Sequence, residues 1–150
     1  AALMLMFLVL FRSLKVSLIA ITPNLLSVGT VLGFMGWVGI PLDMMTITIA
    51  AISVGIAVDD TIHFMSKLRI QLSQGRTLPY AIKRTFIGTG KAIIITSIIL
   101  CGGFITLSLS SFLGTFYIGV LISLTLLFAV LADLFVLPWL ILTFLSTKEK

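Results

Sequence analysis

No charged side chain interrupts the sequence between Val16 and Leu42, and none interrupts it between Ala92 and Ala132. In hydrocarbon a backbone must satisfy its own hydrogen bonds, and a single segment does so only as a helix. About 20 mostly apolar residues are enough to cross a bilayer. The apolar runs predict spans at about 16–40, 44–65, 92–111 and 114–145, the last with a kink near Pro138. An opening run, 1–11, reaches only about 16 Å as a helix and is expected to be the end of a span that begins upstream. Strands of a membrane barrel would alternate and be half as long, so a barrel is excluded. The fold class expected is all-α: a polytopic transmembrane helix bundle.

Composition agrees. Only 10% of the residues are charged and 59% are hydrophobic, whereas soluble domains carry about 25% charged residues. The net charge of +5 does not form the patch or stripe that nucleic acid requires, so no nucleic-acid partner is expected. The basic residues punctuate the apolar runs instead. Arg12 and Lys15 precede the first complete span, and Lys67, Arg69, Arg76, Lys83, Arg84 and Lys91 fill the segment 66–91. Lys148 and Lys150 close the chain. The intervening connections "GIPLD" and "SLSSFLG" carry no Lys or Arg. This alternation follows the positive-inside rule and assigns the ends near Arg12, Lys67 and Lys148 to the cytoplasm. Within 66–91, Gly75 reads as a helix stop. Thr77 and Pro79 read as the start of a short amphipathic helix on the cytoplasmic membrane surface. The single Cys101 allows no intrachain disulfide and reads as a structural thiol. Gly29, Gly33, Gly36, Gly55, Gly102 and Gly103 read as points of close helix packing.

The residues that composition does not explain lie in "GIAVDDTIHF", residues 55–64. Asp59 and Asp60 sit side by side inside the second complete span, with His63 on the same general face. An ionised Asp near the centre of a span costs about 2.5–3.5 kcal/mol on insertion scales. Desolvation and mutual repulsion both favour a proton-bound carboxyl. At least one of the pair is therefore expected to hold a proton part of the time near neutral pH, as a proton relay requires. His63 is a further candidate member of such a relay. Thr96 on the third span and Asp133, five residues before Pro138, are candidates as well. Thr48, Ser53, Thr61 and Ser97 are further polar groups within the spans. No nucleophile–base constellation, metal-ligand spacing or nucleotide loop is present in the sequence, so neither an enzyme nor a cofactor or metal site is expected.

The motif "GIAVDDTIHF" resembles the fourth helix of the RND (resistance-nodulation-division) permease superfamily, in its MMPL and hydrophobe-exporter branch, which is similar to the sterol-sensing domains of Patched-like proteins. The likeness extends through "FRSLKVSLIAITPNLLSV", "GIPLDMMTITIAAISVGIAVDDTIHF", "AIKRTFIGTGKAIIITSIILCGGFITLSLSSF" and "FAVLADLFVLPWLILTF". It implies two repeats of six helices with large extracytoplasmic domains. The present chain would be a partial RND-type repeat, from the end of the second helix through the sixth. It further implies a proton-driven, multi-pass transporter of the bacterial inner (plasma) membrane that exports lipids or other hydrophobic molecules, with Asp59 and Asp60 matching the motif acids. The implied partners are membrane lipids, protons, a lipid-like substrate, the other half of the same polypeptide and further copies in a homo-oligomer. Two alternatives share the helical core: a protein-export accessory subunit, which typically carries one Asp followed by Ala-Asn where this chain has "VDDTIH", and a sterol- or lipid-sensing module, which often lacks the paired acids.

Overall fold

The computed structural model describes residues 2–145, with side chains for 4–144. Lys148 and Lys150 lie outside the described residues. Among the described residues seven α-helices form in chain order: α1 (Ala2–Phe11), α2 (Leu14–Val38), α3 (Met44–Ser73), α4 (Leu78–Thr85), α5 (Lys91–Ile105), α6 (Leu113–Leu131) and α7 (Leu137–Leu145). A π-helical turn at Phe86–Gly90 joins α4 to α5, and a second at Ala132–Val136 joins α6 to α7. Two long rods result, and four helices or rods are long and apolar enough to cross a membrane.

Local chemistry sets the breaks. Gly39 ends α2 in a left-handed conformation (φ 78°), where its N–H reaches Met35 O; glycine enters that region without steric cost. Asp43 then opens α3 with a reciprocal cap. The Thr46 N–H donates to Asp43 Oδ1 at 2.8 Å, and the Asp43 N–H donates to Thr46 Oγ1 at 2.9 Å. Foremost the Thr46 N–H bond, which favours the charged form, holds the Asp43 carboxyl below its ordinary range. Gly75 (φ 74°) stops the chain after α3, as expected. Thr77 occupies the N-cap of α4 with Pro79 in the first turn, although the Thr77 hydroxyl makes no capping bond.

Three features sharpen the sequence expectation. The second span runs without a break into residues 66–73, so the stretch that ends at Gly75 is a polar overhang of α3. The amphipathic helix α4 is not separate from the third span, because the turn at Phe86–Gly90 carries it directly into α5. The last span, expected to be irregular near Pro138, stays continuous and is irregular just before it. Pro138 has no N–H for the Leu134 carbonyl, and its ring crowds that carbonyl; the widened turn just before it absorbs both effects.

α6 lies at the centre, packed against α2, α3 and α5, while α5 is peripheral. Two apolar clusters hold the bundle. One, built on Phe7, Ala20, Phe64, Leu68, Leu137 and Ile141, gathers α1, α2, α3, α4 and α7 at the end that carries the basic residues. The other, built on Val31, Met35, Ile49, Leu121, Ile122 and Leu126, lies toward the opposite end. Along α2 and along α6–α7, the buried polar residues Asn24, Ser27 and Asp133 fall between the two clusters. The inward stripe of α2 is Ala20, Asn24, Ser27, Val31 and Met35. Gly29, Gly33 and Gly36 therefore face away from the bundle, and a Cβ at any of them would meet nothing within 4 Å; the same holds for Gly55, Gly102 and Gly103. The packing glycine is Gly119 of α6, where an added Cβ would lie 2.7 Å from Phe104 O and from Ser108 N. Here the end of the third span crosses α6 backbone to backbone. One helical turn away, Cys101 Sγ donates to Ser123 O (3.5 Å), and Ser123 Oγ donates to Cys101 O (3.3 Å). The thiol thus has a structural role between α5 and α6.

Candidate functional site

Three consecutive residues of α3 point in different directions because a helix turns about 100° per residue. Asp59 is exposed, Asp60 is half-buried and Thr61 is fully buried. They serve two different surroundings.

The first is an open groove of about 750 Å³ between α3 and the α4–α5 rod. Asp59, Asp60, His63 and Thr96 all line it, as does Lys67. Asp59 and His63 approach to 3.8 Å (Oδ1 to Nε2), each with about 70% of its side chain exposed. This distance suits an ion pair of the protonated imidazole but exceeds a hydrogen bond. Asp60 Oδ2 accepts a long hydrogen bond, 3.5 Å, from Ser97 Oγ of α5. Ser97, not Thr96, is therefore the α5 hydroxyl that reaches the acidic pair. The Thr96 hydroxyl donates back to Ala92 O and Ile93 O of its own helix, the usual habit of a helical threonine. Thr48 behaves in the same way, bonding to Met44 O.

The second surrounding is enclosed, with Asn24, Thr61 and Asp133 all buried. Thr61 Oγ1 donates to Asp133 Oδ1 at 2.9 Å and receives Nδ2 of Asn24 at 2.9 Å. One hydroxyl thus links α2, α3 and the turn at Ala132–Val136. Asp133 is 1% exposed, and its second oxygen has no hydrogen-bond partner. The Asn24 side-chain oxygen is likewise unpartnered, as is the hydroxyl of Ser53, about two turns before Thr61 among the buried residues of α3. The widened turn carries an additional residue, which sets Asp133 toward α3; such turns recur at functional sites.

Donor counting shows what this triad can do. Thr61 has one hydroxyl proton and two acceptors in range, Asp133 Oδ1 and Ala57 O at 3.3 Å. With Asp133 ionised, Thr61 donates to it. With Asp133 protonated, the carboxyl O–H can donate to Thr61 Oγ1, which then turns its own proton to Ala57 O. Both states satisfy the hydroxyl, so the Thr61 bridge between the helices can persist in either.

Of the residues singled out by the sequence, Asp59, Asp60, His63 and Thr96 come together at the groove. Asp133 lies on the far side of α3, joined through Thr61. Asn24 was not anticipated. Its signal was an amide in the middle of an otherwise apolar span, next to Pro23.

The sequence matches the MMPL family over residues 1–149. It is 30% identical, over 131 residues, to a Methanocaldococcus jannaschii protein provisionally named as a membrane protein; the match covers 87% of this chain and 34% of that protein. The chain therefore spans about a third of the length of this relative. No solved structure matches it.

Proposed function

This chain belongs to the MMPL family, and from that premise we propose that it is part of a proton-driven transporter exporting lipids or other hydrophobic molecules. It is an integral, multi-pass membrane protein. In the proposed reading the membrane is the inner (plasma) membrane of a bacterium, and Asp59 and Asp60 carry the coupled proton. The remainder of the polypeptide supplies the counter-charge and the substrate path, and copies assemble as a homo-oligomer.

The observation that carries the reading is the position of Asp60. It is half-buried against Ser97 of α5, yet it borders the same open groove as Asp59 and His63. A relay carboxyl needs both properties. It must be reachable by protons, and its charge must be costly enough that protonation changes how helices pack. At a cost of about 2.5–3.5 kcal/mol for an ionised Asp inside a span, loss of the proton is enough to bias the α3–α5 contact. Asp59 and His63 are the exposed entry groups. Asp133, behind Thr61, is the buried carboxyl that responds to Asp60.

The test uses the full-length protein expressed in cells loaded with the hydrophobic dye Nile red. Expected is efflux that a protonophore abolishes, and that Asp59→Asn and Asp60→Asn each abolish at equal membrane abundance. Full efflux in both variants, or efflux indifferent to the protonophore, would overturn the reading.

A further inference from the structure

A second cleft lies between the polar overhang of α3 and the outer face of α4, with a volume of about 550 Å³. Its charged walls are all basic: Lys67 from α3, and Lys83 and Arg84 from α4. Tyr80 joins them, and its hydroxyl is held by Arg84 Nη1 at 3.4 Å. Arg76 stacks over the Tyr80 ring at 5.1 Å, a cation–π contact that fixes the ring. Among the described residues no carboxylate comes within 4 Å of any Lys or Arg, because the sole pair at that distance is Asp59 with His63. The cleft therefore gathers several donors with no internal counter-charge. Gln71 lines it too. That side chain is 7% exposed, and its amide oxygen has no partner. Turning the amide would present its NH₂ group in place of that oxygen.

Several cations crowded without an anion repel one another, and an arrangement of this kind is stabilised by a multivalent anion. The position narrows the choice. The cleft sits where the apolar part of α3 gives way to the overhang, on the side to which the basic residues assign the cytoplasm. Lipid phosphates lie at that level. The geometry points to a binding site for a phosphate group in this cleft, with Lys67, Lys83 and Arg84 supplying charge and Tyr80 a hydroxyl donor. The group is carried by an anionic lipid headgroup or by a soluble phosphate compound.

The experiment places the full-length protein in nanodiscs of phosphatidylcholine containing a small fraction of fluorescent phosphatidylglycerol. Energy transfer from protein tryptophans to the probe reports local enrichment of the lipid. A parallel titration with inorganic phosphate, in discs of phosphatidylcholine alone, is read by thermal stability. Enrichment that Lys83→Gln/Arg84→Gln lowers about 25-fold, at roughly fivefold per cation, with no response to phosphate, assigns the lipid headgroup. A stabilising phosphate response lost in the same variant assigns a soluble ligand. Lys91→Gln removes a cation on the same rod that does not line the cleft, and it should change neither signal. Absence of both responses in the parent protein would overturn the proposal. So would an equal loss in Lys91→Gln, which would mark a diffuse basic surface. Circular dichroism of each variant guards against loss of fold.

Discussion

Thr61→Val is the substitution that isolates the buried triad. Valine keeps the shape and volume of threonine, so no cavity forms and the effect is that of one hydroxyl. That hydroxyl makes two interhelical hydrogen bonds, each of 2.9 Å, to Asn24 and to Asp133. In membrane bundles such bonds average about 0.6 kcal/mol and reach about 1.7, so their loss accounts for about 1–3 kcal/mol. A second cost follows. Asp133 would be left with neither oxygen partnered at 1% exposure, and stranding a buried polar group costs about 1–3 kcal/mol more. A total of about 2–6 kcal/mol is expected. Thr61→Ser keeps the hydroxyl and loses one methyl group, at about 1 kcal/mol. Replacing both partners in Thr61→Val/Asp133→Leu removes the stranded group as well, so the double variant should be at least about 1 kcal/mol less destabilised than the sum of the single variants. The assay is unfolding of the full-length protein by SDS in mixed micelles. Destabilisation by Thr61→Val of under about 0.5 kcal/mol, together with strict additivity in the double variant, would refute the bridging role of Thr61.

Gly119→Ala should destabilise the protein by about 1–3 kcal/mol in the same assay, because its Cβ meets backbone atoms at 2.7 Å and neither helix can yield locally. Gly114→Ala should cost less, since the crowding atoms belong to the flexible end of Met45. Asp43→Ala should lower thermal stability at neutral pH. The folded-state carboxyl titrates below its ordinary range, so its contribution is present above that range and is lost as pH falls through the lowered value; the gap between parent and variant should close in acid. Reporters inserted after Gly75 and fused after Lys150 should read as cytoplasmic, and one inserted after Ser110 as extracytoplasmic.

The apolar runs made the helical bundle legible because a membrane leaves few ways to satisfy a backbone. Capping chemistry made Gly75 and Thr77 legible as boundaries. What the runs did not reveal is which face of each helix turns inward, since a helix apolar on all sides has no amphipathic stripe to read. The glycines of α2 therefore looked like packing residues although they face outward, while Gly119 passed unnoticed. The same uncertainty hid the pairing of Thr61 with Asp133, which are 72 positions apart and brought together by a widened turn. Asp59 and Asp60 stood out because ionisable groups are rare in hydrocarbon. Asn24 is uncharged and did not stand out.

The central proposal is that Asp60 takes up and releases a proton from its half-buried place beside Ser97. Infrared difference spectroscopy of the full-length protein in lipid, between alkaline and acidic buffer, tests this with no need of a known substrate. The account predicts a carboxylic-acid C=O band that appears on acidification, shifts in Ser97→Ala and is absent in Asp60→Asn. A band that persists unchanged in Asp60→Asn, or no carboxyl titration at all in the parent protein, would contradict it.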